Sequence, residues 1–136
     1  LNYSVQVVEG FFNLTHIRNS GVAFGLFADQ QYEYKALMFI TISTIAIMAI
    51  LVIFHQNQKS KKLVQMGLIL IFSGAIGNLI DRTLHGEVID FVDFVFKGYH
   101  FPAFNIADSC ITIGVSLMVI DLFFDTTEPD SNSEIV

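Results

Sequence analysis

Residues 36–54 read "ALMFITISTIAIMAILVIF", nineteen residues without a single charged side chain. At about 1.5 Å of rise per residue a helix of that length reaches roughly 28 Å, close to the hydrocarbon thickness of a bilayer. The stretch therefore reads as a membrane-spanning helix, and two further runs follow it: 63–80, "LVQMGLILIFSGAIGNLI", and 106–124, "IADSCITIGVSLMVIDLFF". The rest of the composition agrees. Hydrophobic residues make up 53% of the 136 and charged ones only 15%, where an ordinary soluble domain carries about 25%. A formal charge of −6 with no basic stripe excludes nucleic acid as a partner. The one cysteine, Cys110, excludes an internal disulfide and a multi-cysteine metal site. Lying within the third run, it reads as a small buried apolar residue.

Between the first two runs lies "HQNQKSKK", with Lys59, Lys61 and Lys62. A short lysine-rich loop belongs on the cytoplasmic side. That puts 1–35 and 81–105 outside and the acidic tail 125–136 inside, where too few apolar residues leave it disordered. The chain opens on Leu1 with "LNYSVQVVEG", which has no cationic stretch before an apolar core and so does not resemble a signal peptide. The expectation is that an N-terminal segment is missing. The outer segments read as strands: 11–18, "FFNLTHIR", alternates, and 87–96, "EVIDFVDFVF", is rich in β-branched and aromatic residues. "NSGVAFG" (19–25) reads as a glycine-containing turn between strand and membrane.

The polar residues crowd one edge of this apolar chain. Gly67, Gly74, Asn78 and Asp81 recur at spacings of seven, four and three, so they share one helix face, with Arg82 beside them. Small residues on such a face admit a close neighbour, and Asp81 and Arg82 could simply anchor the helix as an ion pair. After Pro102 come Asn105, Asp108 and Ser109, all good helix caps, and a carboxylate there gains from the helix dipole. Asp90 is less easily explained. It shares a strand face with Val88, Val92 and Phe94, where an acid needs a partner or shifts its pKa. Asp93 points to the opposite face, toward solvent or a basic partner. Two carboxyls meeting at the rim of an apolar cavity can divide into one acid and one base. No Ser–His or Cys–His pair competes, and His16, His55, His85 and His100 form no H-E-x-x-H zinc pattern. The residues themselves leave open an aspartic hydrolase, a proton or cation pathway, and a structural interaction protein.

Four blocks then carry a resemblance: "FFNLTHIRNSGVAFG" (11–25), "GNLIDR" (77–82), "GEVIDFVDF" (86–94) and "FPAFNIADS" (101–109). In this order, each at an expected outer boundary, they closely resemble the bacterial signal peptidase II (lipoprotein signal peptidase) family across almost the whole chain. The resemblance implies an α-helical transmembrane bundle with a small extracytoplasmic β-sheet cradle, the family having four membrane helices and this chain three. It implies an aspartic endopeptidase, without cofactor or metal, that removes signal peptides from diacylglyceryl-modified prolipoproteins by cutting before the lipidated cysteine. Asp90 and Asp108 match the catalytic pair; Asn19, Asn78, Asp81, Arg82 and Asn105 match the residues that position substrate and brace the pair. Implied partners are prolipoproteins with a lipobox cysteine, membrane lipid and globomycin-type inhibitors. The implied location is the bacterial cytoplasmic (inner) membrane, with the site facing outward. A non-catalytic membrane relative, or a truncated and inactive fragment, is the alternative. Transport would need ionisable groups spread through the bilayer, and 36–54 has none, nor does 63–80.

Overall fold

The computed structural model describes residues 3–21, 32–56 and 61–125. Among the described residues there are three helices: α1 (Tyr32–Gln56), α2 (Lys62–His85) and α3 (Ile106–Asp125). All three are long and apolar enough to cross a membrane. Such spans must be helical, because only a helix satisfies its own backbone polar groups in hydrocarbon. α2 lies in the middle, with α1 and α3 packed on it. Outward-facing Ile42, Ile45, Leu122 and Phe123 stay exposed on the bundle, as lipid-facing residues would.

The α2–α3 contact depends on missing side chains. A Cβ at Gly67 would sit 2.8 Å from the Gly114 carbonyl oxygen, and one at Gly114 would sit 2.6 Å from that of Gly67. A Cβ at Gly74 would collide with the carbonyl of Ala107. Backbone therefore lies against backbone at two levels, the close approach that small residues permit in membranes. The second level is one turn below Asn78 and next to Asp108, so the crossing fixes the spacing of two polar residues.

α2 runs five residues beyond the apolar run that ends at 80, so Asp81 lies on the helix, as its spacing suggested, and Arg82 falls in the last turn. It stops at Gly86, which takes the left-handed conformation (φ 75°) and donates its N–H to the Arg82 carbonyl at 2.9 Å. The chain then enters a four-stranded antiparallel sheet in the order β1 (Tyr3–Val8), β2 (Phe12–Asn19), β3 (Val88–Phe96), β4 (Tyr99–His100). The strands expected at 11–18 and 87–96 are β2 and β3; β1 and β4 were not singled out from sequence. β3 and β4 are joined by Lys97–Gly98, both at positive φ (50° and 79°), the two-residue hairpin whose twist suits the strands. From β4 the chain folds back along β3, with Phe101 N–H donating to the Phe94 carbonyl (2.8 Å) and Phe104 N–H to that of Val92 (3.1 Å). That strap delivers the chain to Asn105 and the start of α3.

Part of the expected turn 19–25 (residues 22–25), Lys59 in the lysine-rich loop and tail residues 126–136 lie outside the described residues. The sheet stands at the end of the bundle where α2 finishes and α3 begins, opposite Lys61 and Lys62.

Candidate active site

Among the described residues Asp90 is the most deeply placed acid, 2% exposed on β3. Its Oδ2 accepts from the Asn19 side-chain amide and its Oδ1 from that of Asn105, each at 2.9 Å. Burial in this setting disfavours the charged form and pushes its pKa up. The two amide hydrogen bonds work the other way, the charge of Asp108 adds to the rise, and Arg82 opposes it; the net direction is upward. Asn19 is aimed by its own turn: its Oδ1 accepts the Gly21 N–H at 2.8 Å.

Asn105 and Asp108 form a reciprocal cap at the start of α3. The Asn105 side-chain oxygen accepts the Asp108 N–H (3.0 Å), and Asp108 Oδ2 accepts the Asn105 N–H (3.3 Å). Of the two capping candidates in "NIAD", Asn105 is thus the cap and Asp108 the residue that answers it. The remaining capacity of both points across the molecule. Asn78 on α2 donates to Asp108 Oδ1 at 2.9 Å, and the Asn105 amide, besides its bond to Asp90, donates to Asn78 Oδ1 at 3.2 Å. Asn105 is 4% exposed and Asn78 8%. Asp90 and Asp108 are therefore joined through two amides, Asn78 from α2 and Asn105 from the cap of α3.

Asp108 also borders a cavity of about 480 Å³, whose other walls include Phe101, Phe104, Thr112 and Ile113. The aromatic wall continues onto the sheet, where Phe104 meets Phe94 at a centroid distance of 6.1 Å and Phe94 meets Phe11 at 5.4 Å. The site thus has a polar floor and an apolar flank.

Of the expected site residues, Asn19, Asn78, Asp90, Asn105 and Asp108 form one hydrogen-bonded network. Asp81 stands at its margin, accepting the Ile89 N–H at 3.4 Å, so its carboxyl ties α2 to β3 rather than pairing with its neighbour. The Arg82 guanidinium lies over the Phe39 ring, 5.4 Å from the centroid, and within reach of the charges of Asp108, Asp90 and Asp81. Asp93 is away from the network and is buried (6% exposed), against the alternative that it meets solvent. Its carboxylate accepts from Asn13 at 2.9 Å, and His100 Nδ1 lies 3.0 and 2.9 Å from its two oxygens. Cys110 is only half-buried, since the face of α3 on which it lies is not fully covered. Among the described residues no group of three or more His, Cys, Asp or Glu has an arrangement that would hold a metal ion. Phe39 was missed from sequence: one phenylalanine in an apolar run carries no mark of what it faces.

The family model described as signal peptidase (SPase) II matches residues 1–124. The lipoprotein signal peptidase of Desulforapulum autotrophicum is 46% identical over 125 residues, covering 92% of this chain and 77% of that protein. The lipoprotein signal peptidase of Geobacter sulfurreducens is 47% identical over 122 residues, covering 90% and 75%. A solved bacterial membrane enzyme, determined by the in meso method, superposes with a TM-score of 0.79 at 39% identity, over 98% of this chain and 77% of that one.

Proposed function

The chain belongs to the signal peptidase II family, and from that premise we propose that it is an aspartic endopeptidase that cuts prolipoproteins before a diacylglyceryl-modified cysteine. The observation that carries the aspartic assignment is Asp90, an acid buried to 2% exposure and linked through Asn105 and Asn78 to Asp108 at a cavity edge.

The chemistry follows from unequal carboxyls. Burial and the neighbouring charge push the Asp90 pKa up, so in this proposal Asp90 takes the part of the acid and Asp108 that of the base, the division of roles that two coupled acids adopt. Asp108 takes a proton from water as the oxygen attacks the scissile carbonyl, and Asp90 gives its proton to the carbonyl oxygen. The tetrahedral intermediate then collapses. Its nitrogen takes the proton from Asp108, the C–N bond breaks, and a proton returns to Asp90. The products are the signal peptide's new carboxyl and the free amine of the lipidated cysteine. Asn19, Asn78 and Asn105 hold the carboxyls, Asp81 fixes the sheet to α2, and Arg82 positions the substrate.

The layout suits a substrate whose signal helix lies in the bilayer and whose acyl chains must remain among apolar side chains. The groove beside Asp108, with Phe101, Phe104 and Ile113, offers that flank, and a globomycin-type inhibitor would occupy the same space. With Lys61 and Lys62 at the far end of α2, the positive-inside rule supports a site facing outward from the bacterial cytoplasmic membrane.

The test is cleavage of a diacylglyceryl-modified prolipoprotein by the full-length protein in lipid vesicles, read as a gel shift. Asp90→Asn and Asp108→Asn should each lower the rate by roughly 10²–10⁴-fold, the contribution of a positioned acid or base, while membrane insertion persists. Wild-type rates in both variants would overturn the assignment.

A further inference from the structure

We propose that Phe39, on α1, is the positioning residue for Arg82. The inference rests on the peptidase reading above and extends it to a helix that gives the hydrogen-bonded network no side chain.

The Arg82 guanidinium feels Asp108, Asp90 and Asp81, yet its Nε is buried without a hydrogen-bond partner. A guanidinium beside carboxylates ordinarily closes a two-bond fork on one of them, and an orphaned buried donor is costly. Something must hold the group where it stands. The ring of Phe39 is placed to do so, with the guanidinium carbon 5.4 Å from its centroid, within the range over which a ring face attracts a cation.

The ring is itself confined from the other side. A Cβ built on Gly21 would fall 2.6 Å from Phe39 Cε2 and 2.7 Å from Cζ, so backbone presses directly against the ring edge. Gly21 is held in turn by Asn19, which accepts its N–H at 2.8 Å while donating to Asp90 at 2.9 Å. The contacts close a circuit: Asp90 to Asn19, to Gly21, to the Phe39 ring, to the Arg82 guanidinium, and by charge back to Asp90. The same asparagine that braces the buried acid thus also sets the ring that holds the arginine. Kept off the carboxyl pair, Arg82 closes no fork on either acid and leaves the raised pKa of Asp90 in place. If the ring were lost, the guanidinium would turn to the carboxyls, favour their charged forms, and draw the proton off Asp90 at lower pH.

The experiment measures kcat, KM and the pH profile of prolipoprotein cleavage by the full-length protein in vesicles. Phe39→Leu keeps apolar bulk but removes the ring; kcat/KM should fall about tenfold, and the alkaline limb should move to lower pH. Phe39→Tyr should restore both. In the Arg82→Ala background, Phe39→Leu should add nothing. Graded fluorination of the Phe39 ring, which weakens its negative face at nearly constant volume, should lower kcat/KM stepwise; this keeps the test decisive if Phe39→Leu fails to fold. An unmoved pH profile, additive losses in the double variant, or indifference to fluorination would make Phe39 a packing residue and overturn the inference. Those results leave the peptidase reading standing. Full cleavage by both Asp90→Asn and Asp108→Asn would overturn that reading instead.

Discussion

Asp90 and Asp93 lie three residues apart on one strand, both nearly inaccessible, at 2% and 6% exposure, yet the protein drives them in opposite directions. Each accepts an asparagine amide from β2, Asn19 for Asp90 and Asn13 for Asp93. The difference is the second partner. Asp90 receives another neutral amide and faces a second carboxyl, and its pKa goes up, with burial the largest cause. Burial works to raise Asp93 as well, but the Asn13 bond and then the hydrogen bond and charge of His100 outweigh it, and its pKa goes down. The lesson is that burial does not decide what an acid is for; its second partner does. One face of β3 holds an acid poised to keep a proton, and the other holds an acid locked as a carboxylate that ties β4 and the following strap to the sheet.

The sharpest way to break this comparison is to neutralise each acid in turn. Asp93→Asn should leave prolipoprotein cleavage within about threefold of wild type while Asp90→Asn loses orders of magnitude. Equal losses in a gel-shift assay would erase the functional distinction between the two faces.

A smaller but still large effect is expected at Asn105, which bonds Asp90, Asn78 and Asp108 together. Asn105→Ala leaves a buried carboxyl short of a donor and removes the cap of α3, and cleavage should fall roughly 5- to 150-fold, as for a buried polar group left without its partner. Asn13→Ala, the counterpart beside Asp93, should leave the rate unchanged within error while lowering the melting temperature.

The smallest effect is in stability against pH, and it separates the two acids by sign. A depressed folded-state pKa means that Asp93 contributes stability above the ordinary carboxylate range, and that the contribution is lost as pH falls through the folded value. Asp93→Asn should cost about 1 kcal/mol at neutral pH, a modest figure because His100 is largely exposed, and should flatten the acid side of the profile. Asp90 has a raised folded-state pKa, so its contribution to stability is fully present below the ordinary carboxylate range and is lost as pH rises through the folded value. Asp90→Asn should remove the decline that sets in above the ordinary carboxylate range. Melting temperatures in detergent, followed from below that range to above it, check both.

How much of this the sequence disclosed follows from the range of the interactions concerned. The three helices were legible because an uncharged run such as 36–54 has few other uses, and β2 and β3 because their β-branched and aromatic content is local information. The end of α2 was set too early, since beyond Asp81 the stretch "RTLH" is polar and nothing before Gly86 signals that the helix continues through it. β1 escaped notice because all of its residues are exposed, so it is a strand chiefly through its pairing with β2. β4 is only two residues long and exists because Lys97–Gly98 reverses the chain. At the site, Asp90 stood out as an acid where acids are costly, whereas Asp108 read equally well as a helix cap and was matched to Asp90 only by the resemblance. The Asn105–Asn78 link could not be read, because residues twenty-seven apart meet only once α2 and α3 cross. The choice of His100 as the partner of Asp93 was equally a product of the folded hairpin.

Where Gly74 lies against Ala107, and Gly67 against Gly114, there is no side chain to yield. Two helices pressed main chain to main chain have no cushion between them, so α2 and α3 behave as a single plank. Asn78 is thereby kept opposite Asp108 by an alignment that neither residue has to maintain. Any side chain added at Gly67, Gly74 or Gly114 would act as a wedge in that seam and would shift the polar pair along with the helices.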